Sequence, residues 1–286
     1  MVADYRTPFQ PRRMTSMRLK ATSSQGVIPS ATGASLLSGL WGSKKVLRTR
    51  AGNQKRSPDP MDLGLSLWLA VGAYFLLQNL PIASVIAMPV VYLGTLAHEL
   101  GHCVAGELLA TQCSRIELRP NGGGTAYIFG ISSVSSSAVI YAAGFIGPSL
   151  VGAVILIMSR RFGLSRAALL GLSLVLAWTA IEWGQDIFTD AVTWSYSGLF
   201  VLLALLSGAF LRAIIAQFFA IVFAVQTVEG WGYAMISGFS RDGIHMVSDT
   251  GKLAELLGGT HQFWGTVVMG IAVAILVLAF LLSGRR

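Results

Sequence analysis

Three side chains able to support metal-assisted hydrolysis fall within five positions: His98, Glu99 and His102, in the run Leu96-Ala97-His98-Glu99-Leu100-Gly101-His102-Cys103-Val104-Ala105-Gly106. On a helix, residues four apart share a face, so both imidazoles can grip one zinc ion while Glu99 reaches a water held by the same metal. The alternative is a structural histidine pair. The surroundings favour metal, because ionisable groups are costly in an apolar helix and here three of them cluster.

The elements that must position this motif are greasy. The 286 residues are 53% hydrophobic and 12% charged, with a mean hydropathy of +0.65, and the long apolar runs match a polytopic membrane protein. The net charge of +8 is unevenly placed: residues 1–60 carry 11 Lys/Arg against Asp4 and Asp59, a local +9, and the remainder sums to −1. A nearly neutral membrane core behind a basic leader excludes nucleic acid as the expected partner. The leader, 1–60, is rich in Arg, Ser, Gly and Thr and has no apolar period, so it is expected to be disordered. Its composition resembles an organelle transit peptide, which would place the protein in a plastid or mitochondrial membrane. Read instead as a basic cytoplasmic tail under the positive-inside rule, it leaves the plasma membrane open.

Residues 61–286 are expected to form the membrane-embedded domain, all-α, with about six to seven transmembrane helices. Apolar runs at 63–80, 82–109, 136–158, 166–183, 196–211, 213–228 and 262–282 suit whole or partial crossings. Arg212 interrupts a long apolar stretch, marking either a turn or the middle of one tilted helix. Ala97, Gly101 and Ala105, four apart, form a small-residue seam for close helix packing. Trp178, Trp183, Trp194 and Trp264 near predicted ends suit interfacial anchoring. Between 111 and 130, Ile116 and Leu118 alternate with polar neighbours, then Pro120-Asn121-Gly122-Gly123-Gly124 precedes Thr125-Ala126-Tyr127-Ile128-Phe129. This predicts a small β-hairpin directly after the metal helix, or a plain connecting loop in its place. A hairpin there offers an edge to an extended substrate, so Asn121, Gly122, Gly123 and Gly124 are candidate substrate-binding residues. Two cysteines, Cys103 and Cys113, read as small buried residues. Cys103 points about 100° away from His102 and is a poor third ligand.

Together these segments resemble the site-2-protease-type membrane zinc metallopeptidases, in their compact branch without a peptide-binding PDZ domain, over about residues 88–282. His98-Glu99-x-x-His102 matches the metal motif, Gly122-Gly123-Gly124-Thr125 the glycine-rich hairpin, and Ala143-Gly144-Phe145-Ile146-Gly147-Pro148 the glycine-marked third helix. Ser248-Asp249-Thr250-Gly251-Lys252-Leu253-Ala254-Glu255-Leu256, followed by Trp264-Gly265, is similar to the branch's late Ser-Asp segment. The resemblance implies Zn2+ as cofactor, Glu99 as general base, and peptide bonds of membrane proteins as substrate, with the lipid bilayer as surroundings.

Relatives of this kind take their third ligand from a Leu-Asp-Gly motif, which this chain lacks. A catalytic zinc needs three protein ligands and one open position. Asp249 is the first choice, followed by Glu229, Asp186 and His245. Four crossings between His102 and Asp249 return the chain to the same side; if 196–228 is one helix, the count is three and Asp186 becomes preferable. Asp249 can equally be a helix N-cap for the run that ends at Gly258-Gly259. Two other functions compete: a catalytically silent relative acting in membrane assembly or as a chaperone, and a transporter whose intramembrane His and Glu relay protons. Oligomeric state is not legible.

Overall fold

The computed structural model describes residues 2–4, 60–78, 83–160, 162–241 and 244–284. Among them seven long helices run through the chain: α1 (Pro60–Gln78), α2 (Ala83–Leu108), α3 (Val134–Ser159), α4 (Phe162–Trp183), α5 (Ile187–Leu206), α6 (Ala209–Ala234) and, after the short α7 (Asp249–Leu257), α8 (His261–Gly284). Helices α3, α5, α6, α8 and the 164–183 stretch of α4 are each long and apolar enough to cross a bilayer, and α1 holds a shorter apolar stretch, Gly64–Leu76. The chain is an all-α polytopic membrane protein with a small sheet. Most of the basic leader lies outside the described residues.

Helix α3 is the hub. It packs against α2, α4, α6, α7 and α8, and its contact with α2 is made close by small residues on both sides. A methyl group on Gly101 would run into the Ala143 carbonyl, and one on Gly147 into the Ala97 carbonyl. The seam read from Ala97 and Gly101 is therefore the α2–α3 contact. In lipid, where apolar surface alone does not drive helices together, this backbone proximity and its van der Waals contact hold the pair.

Arg212 marks a turn. Helix α5 stops at Leu206 and α6 starts at Ala209, with Arg212 in the first turn of α6. Its Nη1 donates to the Ala204 carbonyl at 3.2 Å and the Ser207 carbonyl at 2.5 Å, satisfying carbonyls that the end of α5 leaves without helical partners. Two crossings thus replace one long helix, and four lie between His102 and Asp249.

Helix α5 also begins earlier than the apolar run at 196 suggests. Its buried face is the stripe Thr189, Thr193, Ser197, Phe200 and Ala204, so its polar residues point inward. Ser197 meets Ser173 of α4, whose Oγ donates to the Ser197 carbonyl at 2.8 Å. The same device joins α6 to α1, where Gln217 Nε2 donates to Ser66 Oγ at 3.0 Å. Outward positions are apolar: Leu174, Ile181 and Leu206 are all exposed, as a lipid-facing surface requires. Trp178 and Trp194 are exposed, whereas Trp183 is buried in the core and is no surface anchor.

The hairpin is present. Strands β2 (Gln112–Leu118) and β3 (Gly124–Phe129) pair antiparallel, with an irregularity between Cys113 and Arg115. A further strand, β1 (Val2–Asp4), pairs in parallel with Ala126, Tyr127 and Ile128, giving the order β1-β3-β2. One edge of the hairpin, that of β3, therefore accepts an extended segment of the chain itself. A second hairpin, β4 (Gly238–Arg241) with β5 (Ile244–Val247), joins α6 to α7. Nothing in the hydropathy announces it: the strands are four residues each.

Cys103 and Cys113 are both buried, as read, but they are also joined to each other in a disulfide. The bond ties the metal-motif helix to the first strand of its hairpin. Denatured, unreduced protein should therefore resist a maleimide reagent and take up two labels after reduction; two labels without reductant would contradict the pairing.

Candidate metal centre

The α2 helix presents His98 and His102 on the face turned to α3, where a glycine makes room for them. A Cβ at Gly144 would collide with the His102 ring and lie 2.8 Å from His98 Cε1. Replacing Gly144 with Ala improves helix propensity by roughly 1 kcal/mol, yet it is expected to displace both rings and weaken zinc binding. Zinc titration alongside thermal denaturation checks this, and unchanged affinity in Gly144→Ala would contradict it.

His102 is completely buried, and its Nδ1–H donates to the Ile140 carbonyl of α3 at 2.7 Å. That bond fixes the tautomer and leaves the Nε2 lone pair facing inward, the arrangement found for metal-bound imidazoles. Nε2 of His98 lies 3.1 Å from Nε2 of His102. Asp249 completes the triangle: its Oδ2 is 3.2 Å from His98 Nε2 and 3.4 Å from His102 Nε2.

Asp249 arrives from far along the chain, and the local structure explains how. Ser248, not Asp249, is the N-cap of α7: its Oγ accepts from Gly251 N at 3.0 Å. The same Oγ donates to the Ile236 carbonyl at 2.5 Å, and Ser248 N donates to the Ser237 carbonyl at 3.0 Å. The end of α6 thus holds the start of α7, and Asp249, relieved of capping, turns to the histidines with 1% of its surface exposed.

The triangle fits zinc. In a tetrahedron with metal–ligand distances of ~2.05 Å the ligand atoms stand about 3.3 Å apart, and the three separations here bracket that length. Among the described residues this is the group of His, Cys, Asp or Glu side chains able to share an ion. The other candidate ligands are elsewhere. Asp186 caps α5, accepting from Thr189 N at 2.9 Å, and His245 packs its ring against Gly238 of the second hairpin. Glu229 accepts from Gln226 Nε2 at 2.8 Å on a cavity wall.

That cavity, roughly 550 Å³, opens on the site, with His98 and Glu99 in its wall. Asn121, Gly122, Gly123 and Gly124 line the same cavity, as do Tyr233 and Phe239. The glycine-rich turn is pinned to α2 by Thr95 Oγ1 donating to the Gly122 carbonyl at 2.7 Å and Tyr92 O–H donating to the Pro120 carbonyl at 2.8 Å. Asn121 Oδ1 accepts from Gly123 N at 3.1 Å, closing the turn on itself. Gly124 must lack a side chain, since a Cβ there would stand 2.8 Å from the Glu99 carboxylate. Glu99 is itself 2% exposed.

Two site residues were not read from the sequence. Tyr233 donates to Asp249 Oδ2 at 3.2 Å, and Phe145 sets its ring edge-on to His98 with centroids 5.2 Å apart. Neither type nor spacing marks an aromatic residue as part of a metal site, although Phe145 lies inside the glycine-marked segment 143–148.

No curated protein and no solved structure matches the chain. A family model described as Peptidase M50B-like matches residues 67–279, a span that takes in the histidine motif, both hairpins, Asp249 and most of α8. With the motif on α2, the carboxylate brought back to it by four crossings and the apolar helices around them, the chain belongs to the Peptidase M50B-like family, the site-2-protease type of membrane metallopeptidase.

Proposed function

We propose that this protein is a zinc-dependent endopeptidase that cleaves peptide bonds of membrane proteins at or near the bilayer. The observation that carries the reading is the convergence of His98 Nε2, His102 Nε2 and Asp249 Oδ2 within 3.4 Å of one another, beside Glu99 and open to a cavity. His98, His102 and Asp249 would hold the ion. When bound, zinc supplies Lewis acidity that polarises a carbonyl oxygen and acidifies water.

The chain's own residues do the rest. Glu99, on the cavity wall, takes the proton from the attacking water and hands it to the leaving amine. The Gly122–Gly124 backbone and Asn121 line the same cavity as Glu99, and there an extended substrate segment can be held by main-chain hydrogen bonds. An extended substrate is favoured because a helical one has no unpaired backbone to offer. Glu99, His102 and Asp249 are each at most 2% exposed, and burial strengthens the electrostatic contacts among them. The basic composition of residues 1–60 supports an organelle membrane as the location.

The test is cleavage of a transmembrane peptide by the purified full-length chain in lipid. Activity should vanish on treatment with a zinc chelator and return with stoichiometric zinc. Zinc-loaded protein that cleaves no membrane substrate, or cleavage indifferent to chelation, would contradict the reading.

A further inference from the structure

Tyr233 stands at the end of α6, on a different element from every proposed ligand. Its ring stacks on Phe145 of α3, centroids 5.7 Å apart and planes 28° from parallel, and meets the edge of Phe239 of β4 at 6.0 Å. It also stands edge-to-face with His98, 6.0 Å away. Three aromatic neighbours therefore fix the ring, and the phenol it carries ends 3.2 Å from Asp249 Oδ2. That oxygen is the one that meets both imidazoles.

We propose that Tyr233 is the positioning residue of the metal centre, its O–H holding the Asp249 carboxylate in the rotation that presents Oδ2 to His98 and His102. This inference rests on the zinc-site reading above. A carboxylate has two oxygens and a free χ2 torsion, broad and roughly two-fold, so Asp249 without a second partner can turn Oδ2 away from the imidazoles. The capping of α7 by Ser248 fixes where the Asp249 backbone sits; it does not fix the carboxylate plane. His102 is oriented by the Ile140 carbonyl, and Tyr233 performs the corresponding service for the acidic ligand. Outer hydrogen-bond partners of this kind typically alter metal affinity 10–100-fold.

Tyr233→Phe keeps the ring and its stacking and removes only the donor. In full-length protein in detergent, with zinc delivered from a competing chromophoric chelator, Tyr233→Phe is expected to bind zinc at least about tenfold more weakly than wild type. The thermal stability of the metal-free form should not change. Cobalt-loaded protein should show a shifted visible band in the variant, reporting altered ligand geometry.

Wild-type affinity and an unaltered cobalt band in Tyr233→Phe would overturn the assignment. A metal-free Tyr233→Phe protein that loses thermal stability in step with its zinc affinity would also overturn it, because altered packing rather than the hydrogen bond would then be responsible. Wild-type protein that binds no zinc would instead remove the reading on which the inference rests.

Discussion

The Glu99→Gln protein is expected to carry zinc as the wild type does and to cleave its membrane substrate about 10²–10⁴-fold more slowly, the range that a positioned general base contributes. Glutamine has the same shape and still fits beneath Gly124, so the packing of the hairpin turn on α2 should persist. It cannot accept the proton of the attacking water. The ligand atoms belong to His98, His102 and Asp249, so the metal should not notice the change. Cleavage rate and zinc content measured on the same preparation check both halves. A variant that cleaves at the wild-type rate, or that loses its zinc, contradicts the assignment of Glu99 as base rather than ligand.

Removing a ligand should act differently. Asp249→Ala leaves Ser248 to cap α7 through Gly251 N, so the helix should form. It takes away one corner of a triangle whose sides are 3.1, 3.2 and 3.4 Å, leaving two imidazoles where a stable zinc site needs three protein ligands. Zinc affinity should fall by more than the ~100-fold upper range of an outer-partner change, and activity should fall with it. Saturating zinc should restore little, because the remaining geometry no longer matches a catalytic site. Equilibrium dialysis against buffered zinc gives the affinity, and Asp186→Ala serves as comparison: it removes an N-cap outside the His98–His102–Asp249 group, costs about 1 kcal/mol of stability, and should leave zinc binding intact.

The histidine motif was legible because its chemistry is local. One helical turn brings His98 beside His102 whatever the rest of the chain does. Asp249 was legible only as a first choice among four, since its approach depends on how many times the chain crosses between. Arg212 decides that count by closing the end of α5, an interaction that hydropathy does not register. The N-cap alternative for Asp249 failed for a simple reason: the residue before it, Ser248, has the better geometry for capping.

Where the reading fell short, membrane physics explains the miss. Helix α5 begins at Ile187 although its first turns hold Thr189, Asp190 and Thr193, because in lipid the polar stripe faces the protein: Thr189 Oγ1 accepts from Leu118 N of β2 at 2.7 Å and Ser197 meets Ser173 of α4. An apolar-run reading therefore starts such a helix too late. The β4–β5 hairpin escaped for lack of length, and with it the means by which α6 hands the chain back to the histidines. The Cys103–Cys113 pairing depends on a strand folding back over its own helix, which ten residues of sequence separation neither require nor forbid. The site-2-protease resemblance supplied the family, and the fold brings Asp249, the first choice among the carboxylates, within reach of both histidines.

The most direct measurement is the zinc content and metal position of the full-length wild-type chain, by elemental analysis and anomalous scattering at the zinc edge. The account predicts one zinc per chain, bound by His98 Nε2, His102 Nε2 and an Asp249 oxygen. A chain without metal after zinc saturation, or a zinc ion bound by the two histidines with Asp249 turned away, would contradict it.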